Sequence, residues 1–228
     1  MEEITEILRT IAGSIDTTID GTYNLGTTKT DYCGTKWARK GKIVLDDLGN
    51  SYLINEVETN GSVTVTQQNL PLVPLDGTTF LPTPFFQTGT KIAANNEWKK
   101  VLTNLTAKTP LVWLLEIIRE QRFGRDSVIE FEADLRIFFL DETDATQYVT
   151  EDARREVVAP MSKLAEAFLD VVRGDRKFRR INDYKITTFS RFGVETDQGV
   201  IQNILDANLA GVELQFTLAK YKKTDCKC

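Results

Sequence analysis

The sequence predicts an α+β fold, in which an antiparallel four-stranded sheet carries helices on one face in the order α-β-β-α-β-β. The main observation is that residues 128–140 alternate between apolar and charged side chains. Period two is typical of a strand with one buried face and one solvated face. Residues 211–221 alternate in the same way, and residues 151–173 carry an apolar stripe at helical spacing. The helix would cover the apolar side of the strands.

The first part of the chain predicts a short helix followed by an inserted β module. Residues 2–13 place isoleucine and leucine at helical spacing, and Gly13 suits the helix end. Residues 14–40 are rich in Thr, Gly and Asp and predict a loop. Residues 41–66 predict a meander of short strands, with a hairpin turn at Asn60-Gly61. We assign residues 18–66 to this module.

Residues 67–95 predict an extended arm that is rich in proline and apolar side chains. Four prolines make a helix or a central strand unfavourable there. Leu81, Phe85 and Phe86 are among its apolar residues, which a solvated loop does not need. The arm either lies along its own domain or docks on a neighbouring subunit, and we assign these three residues to an inter-subunit contact.

The remaining chain predicts the main part of the fold, so that residues 1–17 and 96–228 form one α+β core. A helix is predicted at 96–106. A buried strand follows at 111–118. The long helix at 151–173 has Pro160 inside it, which predicts a kink or a shorter helix. The last two strands are predicted at 178–192 and 209–221.

Composition argues against most kinds of catalysis. The chain has 228 residues, a net charge of −5 and no histidine. Histidine is the commonest general base and a frequent metal ligand, so its absence lowers the expectation of an enzyme. The acidic balance argues against general binding to nucleic acid, which needs clustered Lys and Arg. The acidic start lacks the apolar stretch of a signal peptide, and no segment predicts a membrane span. We expect no enzyme activity and no cofactor.

Three groups of residues could either bind a ligand or act in catalysis, or could simply face solvent. Glu130, Glu132 and Asp134 share one predicted strand face, where they bind a divalent cation, act as an acid and base, or simply face solvent. The basic cluster at 173–180 contacts phosphate or an acidic partner, or is a solvated helix end. The chain has three cysteines, Cys33, Cys226 and Cys228. The last two form a terminal Cys-x-Cys, which is either half of a metal site or a pair of free thiols. We expect Cys226 and Cys228 to be reduced and unliganded.

Several short stretches together resemble virion proteins of tailed bacteriophages, especially phages of the Bacteroidetes. The first are Phe85-Phe86-Gln87-Thr88-Gly89-Thr90 with Asn96-Glu97-Trp98, and Pro110-Leu111-Val112-Trp113-Leu114-Leu115-Glu116. The others are Ala133-Asp134-Leu135-Arg136-Ile137-Phe138-Phe139 and Asn208-Leu209-Ala210-Gly211-Val212-Glu213-Leu214. The predicted order of the core also resembles tail-terminator and neck-ring proteins. The resemblance covers residues 85–225, and the inserted module and arm lie outside the minimal family fold.

The resemblance implies a non-enzymatic virion subunit, assembled in the host cytoplasm, that forms a ring, most simply a hexamer. Such a ring joins the head connector to the tail, contacts other neck or tail proteins and lets DNA pass without specific binding. In this reading Glu130, Glu132 and Asp134 line the channel, because an acidic wall repels phosphates. The alternatives are a carboxylate-dependent metal-binding enzyme and a generic intracellular adaptor. No membrane partner is expected.

Overall fold

The computed structural model shows an α+β protein built around two sheets, which confirms the predicted fold class. It describes residues 3–24, 27–30, 36–57, 63–68, 76–100, 108–116, 118–124, 127–144, 150–195, 201–205 and 207–222. The predicted Asn60-Gly61 turn and all three cysteines lie outside these ranges. Within them, no helix has the length and apolar composition needed to cross a bilayer.

The described part of the chain forms α-helices and two main groups of strands. The helices are α1 (Ile4–Gly13), α2 (Lys91–Lys100), α3 (Thr150–Ala153) and α4 (Ala159–Gly174). The strands of the first sheet are β1 (Thr18–Asn24), β2 (Thr27–Thr30), β3 (Ile43–Asp46), β4 (Ser51–Val57), β5 (Val63–Gln67) and β6 (Asp76–Phe80). The later strands are β7 (Phe85–Gly89), β8 (Leu111–Leu115), β9 (Arg119–Arg122), β10 (Ile129–Glu142), β11 (Tyr184–Phe189), β12 (Val194–Glu195), β13 (Ile201–Gln202) and β14 (Leu209–Tyr221).

The second sheet, here called the core sheet, has β10 and β14 at its centre. Its order is β11-β14-β10-β8-β7, and β9 pairs with β10 beyond the end of β8. The strands β8, β10, β14 and β11 are antiparallel neighbours. The predicted count of four strands is too low, because β9 adds a fifth and β7 adds a sixth that runs parallel to β8. The alternation in β10 places Phe131, Ala133, Leu135, Ile137 and Phe139 in the core.

The helices α1 and α4 cover one face of the core sheet. Their apolar residues join those of β10 and β14 in one cluster, with Phe168 packed edge-on against Phe139. The long helix is continuous with α3 through a π-helical turn at Arg154–Val158. Pro160 follows this turn in the first positions of α4. The wider turn fits the proline, because proline supplies no backbone N–H to the helix.

The opposite face of the core sheet is buried at one end only. There α2 and the segment before β14 cover a second cluster that contains Trp98, Trp113 and Phe138. Phe192 contacts both Trp113 and Phe138, with ring centroids 6.0 Å and 5.1 Å apart. At the other end of this face no helix covers β9, β10, β14 and β11 in the described part of the chain, and polar side chains meet solvent.

The first sheet, here called the module sheet, has the order β2-β1-β6-β3-β4-β5. The predicted meander of β3, β4 and β5 is confirmed. The prediction of a loop over 14–40 is wrong at β1 and β2, because β1 pairs with β6, far away in sequence. The inner face of the module sheet contributes Ile19, Val44 and Ile54 to the same apolar cluster as α1 and α4.

The segment predicted as an extended arm contains strands in its described part. Its residues 76–80 form β6 in the module sheet, and 85–89 form β7 at the edge of the core sheet. The pattern did not indicate these strands, because each is short and is held by a partner strand distant in sequence. The predicted helix at 96–106 begins earlier, as α2, and its described part ends at Lys100.

Candidate functional site

The open end of the core sheet presents rows of polar side chains across four strands. In one row Arg119 of β9 lies beside Asp134 of β10 and Thr217 of β14. In the next row Arg136, Gln215 and Lys185 are cross-strand neighbours. Together with Asp183 and Tyr184 these residues line a groove of about 680 Å³. The groove mixes cations and anions on one sheet face.

The three carboxylates that the sequence placed on one acidic face do not act as a group. Glu130 lies at a β-bulge between Ile129 and Phe131 and forms an ion pair with Lys220 at 3.4 Å. Glu132 pairs with Arg179 at 3.4 Å. Asp134 accepts a hydrogen bond from the Thr217 hydroxyl at 2.7 Å. Each carboxylate therefore has its own partner.

The predicted acidic wall is thus close to neutral. Opposite charges come from β9, which directly precedes β10 in the chain, and from β11, β14 and the segment after α4, which are distant from β10 in the sequence. Arg136 also pairs with Glu213, which is 4% exposed and accepts a second hydrogen bond from Gln215 at 2.8 Å. Alternation in one strand predicted which side chains share a face, but it carried no information about the charges on neighbouring strands.

The three residues assigned to an inter-subunit contact have different surroundings. Leu81 is 3% exposed and belongs to the apolar cluster of its own chain, so its burial needs no second subunit. Phe85 and Phe86 are half-buried on opposite sides of β7, against the second and first clusters. The Arg9 guanidinium lies over the Phe86 ring at 5.7 Å. Contact of Phe85 and Phe86 with a neighbouring subunit stays a prediction.

The basic cluster at 173–180 follows α4 and runs along the outer side of β14. Arg173 lies over the Tyr184 ring at 5.3 Å and pairs with Asp170 at 3.5 Å. Lys177 approaches Asp175 at 4.0 Å. The structure pairs neither Arg176 nor Arg180 with an acid among the described residues, and both are exposed. Two cations of the cluster are therefore available for an external partner.

A second cleft lies at the opposite side of the core sheet, between the start of α1 and β9. Its volume is about 500 Å³. Three glutamates, three apolar side chains and one arginine line most of it: Glu3, Glu116, Glu120, Ile4, Ile118, Phe131 and Arg122. Arg122 pairs with Glu120 at 2.7 Å. The cleft therefore combines an apolar floor with a net negative rim.

A buried ionic cluster joins the two sheets, and the sequence analysis did not identify it. Asp141 of β10 is 1% exposed and contacts Lys42 at 2.8 Å and Arg39 at 3.1 Å. Lys42 also donates to the Thr109 hydroxyl, and Arg39 donates to the Glu142 carbonyl at 2.6 Å. The sequence did contain a sign of this cluster, because Asp141 lies two residues after Phe139 and therefore points toward the core as Phe139 does. A carboxylate that points into the core requires buried cations as partners.

Two aspartates in the module sheet region have lowered pKa values. Hydrogen bonds from the Lys36 ammonium and from Thr18 lower the pKa of Asp16 to about 2. Burial of the Asp46 carboxyl opposes ionisation, but hydrogen bonds from Asn50, Tyr52 and Leu48 outweigh it and lower its pKa. Both carboxylates hold turns in place: Asp46 accepts the backbone N–H groups of Leu48 and Asn50 between β3 and β4. Their role is structural.

Metal ligands do not converge in the described part of the chain: no three Cys, Asp or Glu side chains there are placed so that they could hold one metal ion. All three cysteines lie outside that part, so the expectation that Cys226 and Cys228 are free thiols stays a prediction. The surfaces that remain for function are the mixed-charge groove, the basic cluster and the acidic cleft. No protein-family model, curated protein or solved structure matches this chain.

Proposed function

We propose that this chain is a non-enzymatic structural subunit of a tailed-phage virion. It forms a ring, most simply a hexamer, at the neck or tail, where it joins the head connector to the tail and lets DNA pass. The proposal rests on the resemblance of residues 85–225 to small virion proteins. It is carried by one structural observation, which is the order in which the core strands pair.

That observation is the succession β11-β14-β10-β8 with α1 and α4 on one face. Along the chain these elements read α-β-β-α-β-β, the order that the resemblance implies for tail-terminator and neck-ring proteins. The module sheet and the strands β7 and β9 are additions to this arrangement. In the described part of the chain the core sheet ends at β11 and β7, and such edges also suit assembly, because unpaired edges must be covered or matched by another chain.

The open polar face supports a weak version of the channel proposal. Glu132 and Asp134 share this face, and Glu130 belongs to a separate ion pair at its rim. Arg119, Arg136 and Lys185 offset the acidic charge. A nearly neutral wall neither attracts nor strongly repels DNA phosphates, and at physiological salt its field fades within about 8 Å. We propose that this face, when it lines the bore, lets DNA slide past.

The proposal is tested by the assembly state of the protein and by its presence in particles. Sedimentation velocity and electron microscopy of the purified chain should show a closed ring. Mass spectrometry of purified virions should detect the chain, and microscopy should place it between head and tail. A chain that stays monomeric and is absent from virions would instead support the intracellular adaptor.

A further inference from the structure

The basic residues after α4 lie on one edge of the core sheet. Phe178 bridges to Lys220 on the side of β14 that faces away from β10. The backbone N–H of Arg179 donates to Ala219 at 2.8 Å, and that of Tyr221 donates to Lys177 at 2.9 Å. We call the exposed side chains of this segment the basic edge: Arg176, Lys177, Arg179 and Arg180. They concentrate positive charge in a chain whose net charge is −5.

The acidic cleft lies at the opposite edge of the same sheet. The strand β9 pairs with β10 on the side away from β14, and Glu120 and Arg122 of β9 line the cleft. Glu3 and Glu116 complete its rim, and the structure pairs neither with a cation among the described residues. Its floor is apolar, formed by Ile4, Ile118 and Phe131.

The basic edge and the acidic cleft lie at the same position along the strand direction of the core sheet. Glu132 of β10 faces Ala219 on one side and Gln121 of β9 on the other. Ala219 is also the residue that anchors Arg179. One row therefore runs from the basic edge to the acidic cleft, across strand spacings of about 4.8 Å each. The two surfaces lie at opposite edges of the sheet, separated by β10 and β14.

We propose that the basic edge of one subunit docks in the acidic cleft of the next subunit around the ring. This inference rests on the proposed function, because it names the contact that would close that ring. Complementary surfaces on opposite edges make a head-to-tail contact, which closes into a ring when the rotation allows it. The occupant of the cleft is therefore a second copy of this chain.

The chemistry of the cleft fits an arginine. An arginine side chain has an apolar stem, which would lie on Ile4, Ile118 and Phe131. Its planar guanidinium would reach the carboxylates of Glu3 or Glu116 in bidentate geometry. Arg176 and Arg180 are the candidates, because neither is paired with an acid among the described residues. DNA would account for the basic edge but would leave the acidic cleft without a partner.

Paired charge reversals test this contact. One variant carries Arg176→Glu with Arg180→Glu, and a second carries Glu3→Lys with Glu116→Lys. A matched control carries Lys40→Glu with Lys91→Glu, which makes the same charge change at exposed positions elsewhere. Sedimentation velocity should show that each edge variant raises the dissociation constant of assembly about tenfold or more, while the control assembles as the wild type. Thermal melts followed by circular dichroism check that every variant folds.

Mixing the two edge variants is the decisive step. An equimolar mixture should restore assembly, because each contact again joins opposite charges, and the restored ring should alternate the two variants. Wild-type assembly should also weaken as salt increases. A ring that forms normally in both variants overturns the inference and leaves the proposed function intact. A wild-type chain that never assembles overturns both.

One further outcome assigns the basic edge to nucleic acid. If Arg176→Glu with Arg180→Glu abolishes binding to a short DNA duplex but leaves the ring unchanged, the basic edge serves phosphates and the subunit contact is refuted. If the variant loses the ring and duplex binding is equally weak in wild type and variant, the subunit contact stands.

Discussion

The two sheets of this protein bury their faces in different ways. The core sheet is covered by helices on one face, and at one end the second cluster, which contains Trp98, Trp113 and Phe138, covers the other face as well. In the module sheet, the described side chains of β3 are packed on the inner face only. Val44 is buried, at 1% exposure, whereas Ile43 and Leu45 are 43% and 46% exposed. The stability of the core sheet therefore rests on packing from both sides, whereas that of the module sheet rests on one side.

The junction between the sheets adds a second difference. Apolar residues of both sheets meet in one cluster, and the ionic cluster of Asp141, Lys42 and Arg39 is buried beside them. Buried ions cost solvation energy unless they are fully paired. We therefore expect the junction to be sensitive to the loss of an ionic partner, and the outer face of β3 to tolerate substitution.

Gly211 of β14 lies opposite Leu140 and in close contact with the backbone of β10. Its φ is +151°, and a Cβ there would lie 2.0 Å from the Phe139 carbonyl oxygen. Gly211→Ala should therefore force β14 away from β10 and cost more than about 4 kcal/mol of unfolding free energy. Gly13→Ala is the control, because open space surrounds that position. Urea unfolding measures both, and equal effects would refute a tightly packed sheet centre.

Removing the anion of the buried ionic cluster should come next. Asp141→Ala leaves Lys42 and Arg39 buried without their carboxylate, which should cost about 3–5 kcal/mol. Asp170→Ala removes an exposed partner of Arg173 and should cost less than about 1 kcal/mol. Chemical denaturation compares the two variants. A loss at Asp141 as small as that at Asp170 would mean that the sheets are joined by apolar packing alone.

Truncations on the two faces of the module sheet compare its buried and open sides. Ile54 is fully buried, so Ile54→Ala should destabilise the protein by about 2–5 kcal/mol. Leu45→Ala removes a half-exposed side chain and should cost less than about 1 kcal/mol. Thermal unfolding of the monomer gives both values. If Leu45→Ala is as costly as Ile54→Ala, the outer face is covered in solution.

The smallest effect concerns pH. The folded-state pKa of Asp46 lies below its ordinary value of 3.8, so its carboxylate stabilises the fold above that pH. The contribution is lost as the pH falls through the lowered pKa. Asp46→Asn should cost about 1–3 kcal/mol at pH 7 and progressively less towards pH 2. Asp47→Asn in the same turn is the control. Denaturation at both pH values measures this, and a constant difference would contradict the role of the charge.

Local patterns predicted the long elements well. The alternation of 128–140 predicted β10 and its buried face, and the stripe at 151–173 predicted the long helix, with Pro160 beside its π-helical turn. The short strands β1, β2 and β7 escaped prediction. They lack a clear period, and pairing holds them in place: β1 pairs with β6, β2 with β1, and β7 with β8. Of the candidate site residues, Glu132 and Asp134 share the predicted face, while Leu81 belongs to the core of its own chain.

Apolar periodicity in the sequence is enough to predict which side chains face inward along β10, β14 and α4, because it is a property of neighbouring residues. Which charges meet depends on the tertiary structure. Glu132 pairs with Arg179, 47 residues away, and Asp141 pairs with Lys42, which directly precedes β3 of the module sheet. The same holds for the basic edge and the acidic cleft. Their placement on opposite edges depends on the order of the strands, which the path of the whole chain sets and no local pattern encodes.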